Sequence, residues 1–351
     1  MPSPHLSSYT ERVQLDGRPV SEPDFAAGVE RLMSLVAPHR EEIGQATEFE
    51  LLTALALGHL GPRSDRLVIE VGMGGRLDTT NVLELGVAVI TNVDLDHRQY
   101  LGDSVVAIAA EKAGIIKRGD RVVTGAMGEA LGVIEAVARE QGAELWRLGH
   151  EISLEAESLG WEGSTLTVSG PGFEHAGLRV PLRGSHQARN AALAVAAAEA
   201  IGDATPEAVR RGIADTRWPG RLELLAGSPQ LLLDGAHNPA AMRALSAALG
   251  ELPGLEPMVA VFAAMADKDL DPMLEELVRL RTVATIFTAA TTAGARGADP
   301  GDLSRRFGRP SEIHGDPRRA LERGRALAGP TGTILVCGSL YLVGEVRAIT
   351  L

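Results

Sequence analysis

The chain of 351 residues has one cysteine, Cys337, inside the apolar run TILVCGSLYL. A disulfide framework is therefore excluded, and a small buried thiol in a reducing compartment is expected, with the cytoplasm as default. One cysteine and no paired-histidine spacing leave no tetrahedral zinc set. Basic residues number 34 against 46 acidic ones, and no Lys/Arg-dense run with interleaved aromatics occurs, which argues against nucleic acid as a partner. The alanine-rich stretch from Ala191 to Ile201 is too short to span a bilayer and carries Glu199, so no membrane segment is read. Lysine and asparagine are scarce too: three lysines (Lys112, Lys117, Lys268) and four asparagines (Asn81, Asn92, Asn190, Asn238). Where arginine serves nearly every generic role, those seven are expected where a primary amine must shed its proton or an amide must both donate and accept. Chance clustering and the turn preference of asparagine are the alternative.

What the chain does contain is 45% apolar residues and 40 glycines, in keeping with a compact α/β protein of two domains. The stretch LVIEVGMGGRLDTTN, Leu67 to Asn81, is its organising feature. Val68 and Ile69 predict a buried strand that ends at Glu70, and Gly72, Gly74 and Gly75 follow as a loop able to approach a ligand, with Arg76 and Asp78 in it. An ordinary strand-to-helix turn with one outward acid fits equally.

Around this stretch, Ser21 caps a helix that runs to about Ala37, and TEFE places Thr47 and Glu50 as a capping pair for a buried helix. Val87 to Thr91 is a strand ended by Asn92, Asp94, Asp96 and His97. Asp103 to Lys112 is a helix with Val106, Ala109 and Ala113 on its buried stripe. Arg121 to Thr124 and Glu144 to Leu148 are strands, with a helix from Glu129 to Gln141 between them. Short β segments fill Ile152 to Leu182, and helices start near Gln187 and at Thr205. TRWPGR, Thr216 to Arg221, reads as a linker. Strands at Leu231 to Leu233, Met258 to Ala264, Val283 to Thr288 and Ile334 to Cys337 then begin a second unit. The expected fold is two doubly wound α/β domains, residues 1–216 and 217–351.

As chemistry, Glu70 and Ser3 suit a hard cation such as magnesium, with His97 a less usual ligand; a hydrogen-bonded acid and a surface histidine are the structural alternatives. Lys112 stands at a helix end, where arginine would cap equally well. Asp234, His237 and Asn238 end a strand, where they orient a ribose, a carboxylate or an amine, or form an Asx-turn beside a surface histidine. The glycine loop is no dinucleotide fingerprint, because Leu77 occupies its last glycine position, and no lysine follows a glycine as a P-loop requires.

Taken in order, SPHL with ERV, TEFE, EVGMGGRLDTTN, DHRQYLGD, EKAGIIK, GSHQARNAAL, RWPGRLE, LLDGAHNP, ADKD and GSLYLVGE resemble the folylpolyglutamate and dihydrofolate synthases of the Mur ligase superfamily, from Ser3 to Arg347. The resemblance implies a Mur-ligase-like central ATPase domain and a Rossmann-like C-terminal ligase domain. It further implies an ATP- and Mg2+-dependent reaction in which a pteroate or folate carboxylate is phosphorylated and the amine of L-glutamate attacks the acyl phosphate. Ser3, Glu70 and His97 match the family's metal ligands, and Lys112 its carbamylated lysine. Thr47, Glu48, Phe49, Glu50, Leu77, Asp78 and Thr79 match pterin-substrate contacts. Asn190, Arg221 and Asp234 match nucleotide contacts, and His237 and Ser339 match residues around the incoming glutamate. A monomer is expected. The family pattern places a strand and P-loop before SPHL, where this chain has Met1, and a start assigned downstream or a shortened chain is the expectation, with severe loss of turnover in this form. The rivals are another Mur-type amino-acid ligase and a non-catalytic folate- or nucleotide-binding remnant.

Overall fold

A computed structural model describes residues 1–42 and 44–351. Its contacts divide the chain into two compact units: 1–90, 101–122 and 127–145 in the first, and 91–100, 123–126 and 146–351 in the second. Among the described residues no helix is long and apolar enough to cross a membrane.

The first unit opens with a small hairpin, Gln14–Leu15 against Arg18–Pro19, in antiparallel register. Its turn is Asp16-Gly17, with φ of 50° and 74°. Both turn residues therefore lie in the left-handed region that an Asp-Gly pair tolerates in a two-residue hairpin turn. This hairpin is not among the elements expected from the sequence, although an Asp-Gly pair between two short strands is its signal. Helix Glu22–Val36 starts from Ser21, whose hydroxyl accepts from Asp24 N. Helix Glu48–Leu60 carries a complete capping box: Thr47 N and Oγ1 donate to Glu50 Oε2, and Glu50 N donates to Thr47 Oγ1. Leu55, Ala56 and Leu60 of this helix close a core with Met1, Val13 and Val20.

The strand expected at Leu67 to Ile69 is not formed. The segment is extended with alternating faces: Leu67 and Ile69 pack on that core, whereas Val68 is 79% exposed. Its backbone meets Met1, which donates to Val68 O at 2.7 Å and accepts from Glu70 N at 3.0 Å. A partner of one residue makes no ladder, so the β-branched pattern is present without a sheet to hold it. The helix expected over Asp103 to Lys112 is Val105–Ala113, capped by Ser104, with Ile108, Ala109 and Ala113 buried. Val106 is exposed, correcting the expected stripe. Strands Val87–Ile90, Arg121–Thr124 and Glu144–Arg147 lie side by side in that order.

In the second unit the β segments expected between Ile152 and Leu182 are a three-stranded antiparallel sheet of Ser153–Ser158, Ser164–Gly170 and Phe173–Val180. The alanine-rich helix is Ser185–Ile201. A six-stranded sheet follows, in the order Glu312–Ile313, Ala284–Phe287, Met258–Phe262, Thr333–Cys337, Gln230–Leu233, Glu223–Leu225. All neighbours are parallel except the last pair. Met258–Phe262 and Thr333–Cys337 are buried throughout, as central parallel strands covered on both faces should be. Because strand order reverses around Thr333–Cys337, the carboxyl ends of these strands form the place where such sheets bind ligands. Cys337 is free and buried there, and burial pushes its thiol pKa up, so it is an inert core residue as expected.

Candidate active site

In the first unit the glycine loop is held by its own polar residues. Asp78 Oδ2 accepts Gly72 N and Met73 N, both at 3.0 Å, while Oδ1 accepts the N and hydroxyl of Thr80. Asp78, expected as a substrate contact, thus organises the loop. The loop lies against the end of helix Val105–Ala113: Arg76 N donates to Glu111 O at 2.8 Å, and the Arg76 side chain pairs with the Glu111 carboxylate. A Cβ on Gly75 would stand 2.7 Å from Glu111 O and 3.0 Å from Lys112 O, so glycine is required by close backbone approach. Gly72 lies under the ring of Phe49, where a Cβ would stand 2.5 Å from Cζ. The hydroxyls of Thr53 and Thr79 meet at 3.1 Å and join helix Glu48–Leu60 to the same loop. Thr47 and Glu50 are the cap of that helix, Glu48 is exposed beside them, and Leu77 is 77% exposed.

Two of the scarce residues serve structure here. Asn81 Nδ2 donates to Arg76 O and Gly114 O, and Lys117 Nζ donates to Asn81 O. Their scarcity marked the loop correctly but not their task.

Glu70 and Ser3 do come together: Ser3 N donates to Glu70 Oε2 at 2.6 Å. Arg12, nearly buried, donates from Nε to His5 Nδ1 and from a terminal nitrogen to Ser3 Oγ, an anchor the sequence reading missed. Lys112 is half-buried in the last turn of its helix. Among the described residues no three His, Cys, Asp or Glu side chains stand close enough to enclose a metal on their own. A serine and a glutamate are nevertheless hard oxygen donors, which fits a magnesium ion that keeps waters and phosphate oxygens as its other ligands.

In the second unit the groups meet at the carboxyl ends of the six-stranded sheet. Asp234 is buried, and its two oxygens accept Leu222 N at 3.0 Å and Ala236 N at 2.9 Å. Burial pushes its carboxyl pKa up, while Arg221 and those two amides pull the other way. Arg221 passes beside Gly235, where a Cβ would lie 3.4 Å from its terminal nitrogen. His237 Nδ1 meets Gly235 O at 2.8 Å; a carbonyl only accepts, so Nδ1 carries the proton and Nε2 is left as acceptor. Burial holds its pKa below the usual histidine value, with Lys268 and Arg221 adding to the effect, so the ring is neutral at pH 7.

Asn238 caps helix Pro239–Glu251 through Oδ1 and with Nδ2 donates to Asp96 Oδ2 at 2.7 Å. Asp96 also accepts from Lys268 Nζ at 2.8 Å and from His97 N at 2.8 Å. The backbone of His97 has φ of 50°, and Asp96 is the side chain that holds it in this uncommon conformation. Ser339 is buried and caps the last helix, accepting Tyr341 N. Asn190 is exposed in the first turns of helix Ser185–Ile201 and donates to Gln187 Oε1 at 3.1 Å. His97, Asp234, His237, Arg221 and Ser339 thus belong to one unit, together with Asp96, Asn238 and Lys268; Glu70, Ser3 and Lys112 belong to the other.

Known proteins carry the same pattern. The model of the Mur ligase middle domain matches residues 28–198, and that of the Mur ligase glutamate ligase domain matches 220–340. The dihydrofolate synthase/folylpolyglutamate synthase of Bacillus subtilis is 33% identical over 98% of this chain and 82% of its own length. The chain belongs to the folylpolyglutamate synthase/dihydrofolate synthase family. Solved family members agree. Mycobacterium tuberculosis folylpolyglutamate synthase complexed with ADP superposes with a TM-score of 0.92 at 32% identity, over 99% of this chain and 83% of that one. E. coli FolC in complex with DHPP and ADP gives 0.89 at 32% identity, over 99% and 80%. A longer Haloferax volcanii relative is 36% identical, and this chain spans 42% of its length. The two-domain α/β architecture expected from the sequence is therefore the Mur ligase one.

Proposed function

We propose that this chain is an ATP- and magnesium-dependent ligase that joins L-glutamate to dihydropteroate or a reduced folate through an acyl phosphate. Its family membership supports the reading, as do the relatives solved with ADP and with DHPP. The observation that carries it is the strand-end cluster of Arg221, Asp234, His237, Lys268 and Ser339, a concentration of cations, a neutral imidazole and a hydroxyl at the ligand edge of a parallel sheet. The boundary between ATPase and ligase domains is placed at 216/217, and the protein in the cytoplasm as a monomer.

In this reading Asn190, Arg221 and Asp234 hold the nucleotide. Phe49 against Gly72, with Thr47, Glu48, Glu50, Leu77, Asp78 and Thr79 around it, takes the pterin. Ser3, Glu70 and His97 would hold magnesium, and Lys112, once carbamylated, presents an anion in place of a cation; a guanidinium in its place forms no such adduct. Bound magnesium supplies charge neutralisation on the phosphates. The chain's own residues then position and desolvate: Arg221 neutralises phosphate charge, and Ser339 fixes the start of the last helix. The ammonium of glutamate must lose a proton to attack, and the Nε2 lone pair of neutral His237 is suited to take it.

Phosphate release tests the reading. It should require ATP, a folate and L-glutamate together, with dihydropteroate and tetrahydrofolate assayed separately. Release that is as fast without glutamate would sink it.

A further inference from the structure

We propose that Arg183 is a positioning residue for the nucleotide: it holds Leu222 in a left-handed backbone conformation and thereby fixes the direction in which Arg221 projects. This rests on the reading above that Arg221 meets the phosphates.

Leu222 has φ of 43°. A bulky side chain seldom takes that conformation, which persists only where the surroundings over-determine it. Here each part of the residue is held. Its amide donates to Asp234 Oδ2 at 3.0 Å, its carbonyl accepts from Arg183 Nη1 at 3.0 Å, and its side chain, 1% exposed, lies in the apolar core around the six-stranded sheet.

Arg221 directly precedes Leu222. On its other side Gly220 O accepts Gly235 N at 2.7 Å, and Gly220 N donates to Glu223 Oε2 at 2.8 Å. The backbone that carries the Arg221 guanidinium is therefore pinned before and after it. Among the described residues that guanidinium itself forms no hydrogen bond or ion pair, so its donors are kept for a ligand.

Arg183 is fixed in its turn. Its Nε donates to Trp161 O at 3.0 Å, and its guanidinium lies 5.7 Å from the centroid of the Trp161 ring, whose Nε1 donates to Pro253 O at 2.9 Å. Trp161 packs against the same core that holds Leu222. One planar cation thus serves two carbonyls at once, in a fork that neither an ammonium nor an amide reproduces. Arg183 also stands two residues before helix Ser185–Ile201, so it links the helix of Asn190 to the segment of Arg221.

Calorimetric titration of the full chain with ADP and with adenosine, which lacks the phosphates, tests this. R183Q should weaken ADP by about tenfold, the worth of one hydrogen bond to a charged group, and leave adenosine unchanged. R183K, which keeps one donor for the Leu222 carbonyl, should fall between. In an R221Q background, where no guanidinium remains to be aimed, R183Q should weaken ADP no further. ADP affinity in R183Q equal to that of the unaltered chain overturns the proposal. So does a matching loss for adenosine, or an undiminished effect in the R221Q background, because a purely structural tie predicts both. If R183Q does not fold, the same comparisons are read from R183K. Failure of the unaltered chain to bind ADP, or full ADP affinity in R221Q, overturns instead the nucleotide reading on which it rests.

Discussion

Lys268 Nζ lies 2.8 Å from Asp96 Oδ1, joining residues 172 positions apart, and the lysine side chain is only 9% exposed against 25% for the aspartate. The same carboxylate takes Asn238 and the amide of His97, so one aspartate fastens the His97 segment to two loops of the six-stranded sheet. Its pKa falls to about 2 in spite of burial, because Lys268 and Asn238 donate to it.

Removing one partner of a mostly buried pair leaves the other uncompensated. K268M is therefore expected to lower stability by about 3 kcal/mol, read from the midpoint of urea unfolding. K268R, which keeps a donor, should lose less. An unchanged midpoint in K268M would show that the pair contributes nothing.

Gly75 has no room for a side chain. A methyl there must push the loop from the helix end that carries Lys112, and G75A should cost about 2 kcal/mol by overpacking. G17A is not an adequate control, because Gly17 has φ of 74°; G58A, in open space, is. Thermal unfolding of G75A no lower than that of G58A would remove the packing argument.

Glu151 accepts from the backbone and guanidinium of Arg147, which hold its carboxyl at about 2. A depressed folded-state pKa stabilises above the unfolded value near 4.5 and loses that contribution as pH falls toward 2. The pair is part solvent-facing, so E151Q should cost about 1 kcal/mol at pH 7. The difference between variant and unaltered chain should shrink as pH falls below 4.5 and disappear only below pH 2. A pH-independent difference would assign the effect to packing.

Carbamylation of Lys112 predicts a carbamate carbon resonance in protein equilibrated with labelled bicarbonate, lost in K112R. The same resonance persisting in K112R would place the adduct on another amine.

Local order was legible in the sequence to the extent that it depends on neighbours along the chain. The Thr47/Glu50 capping box, the helix of alanines from Ser185 and the buried strands of the second unit follow from capping chemistry and apolar runs, which act within a few residues. The family strings marked Asp234, His237 and Ser339, and the fold places all three at strand ends of one sheet or directly after them.

Partnership across the chain was not legible, because nothing local records it. Leu67 to Ile69 has the composition of a strand, but a strand exists only where a neighbour pairs with it, and here one residue does. That Asp78 accepts from the amides of Gly72 and Met73, and that Asn81 donates to the carbonyls of Arg76 and Gly114, shows only once the loop has closed. Asp96 with Lys268, Arg12 with Ser3 and Arg296 with Tyr341 are set by three-dimensional proximity. The chain by itself determined its helices, its second sheet and its chemical vocabulary. Which of those groups are already satisfied, and which keep donors or acceptors for a substrate, was decided only when distant segments packed, since hydrogen-bond satisfaction is a property of neighbours in space.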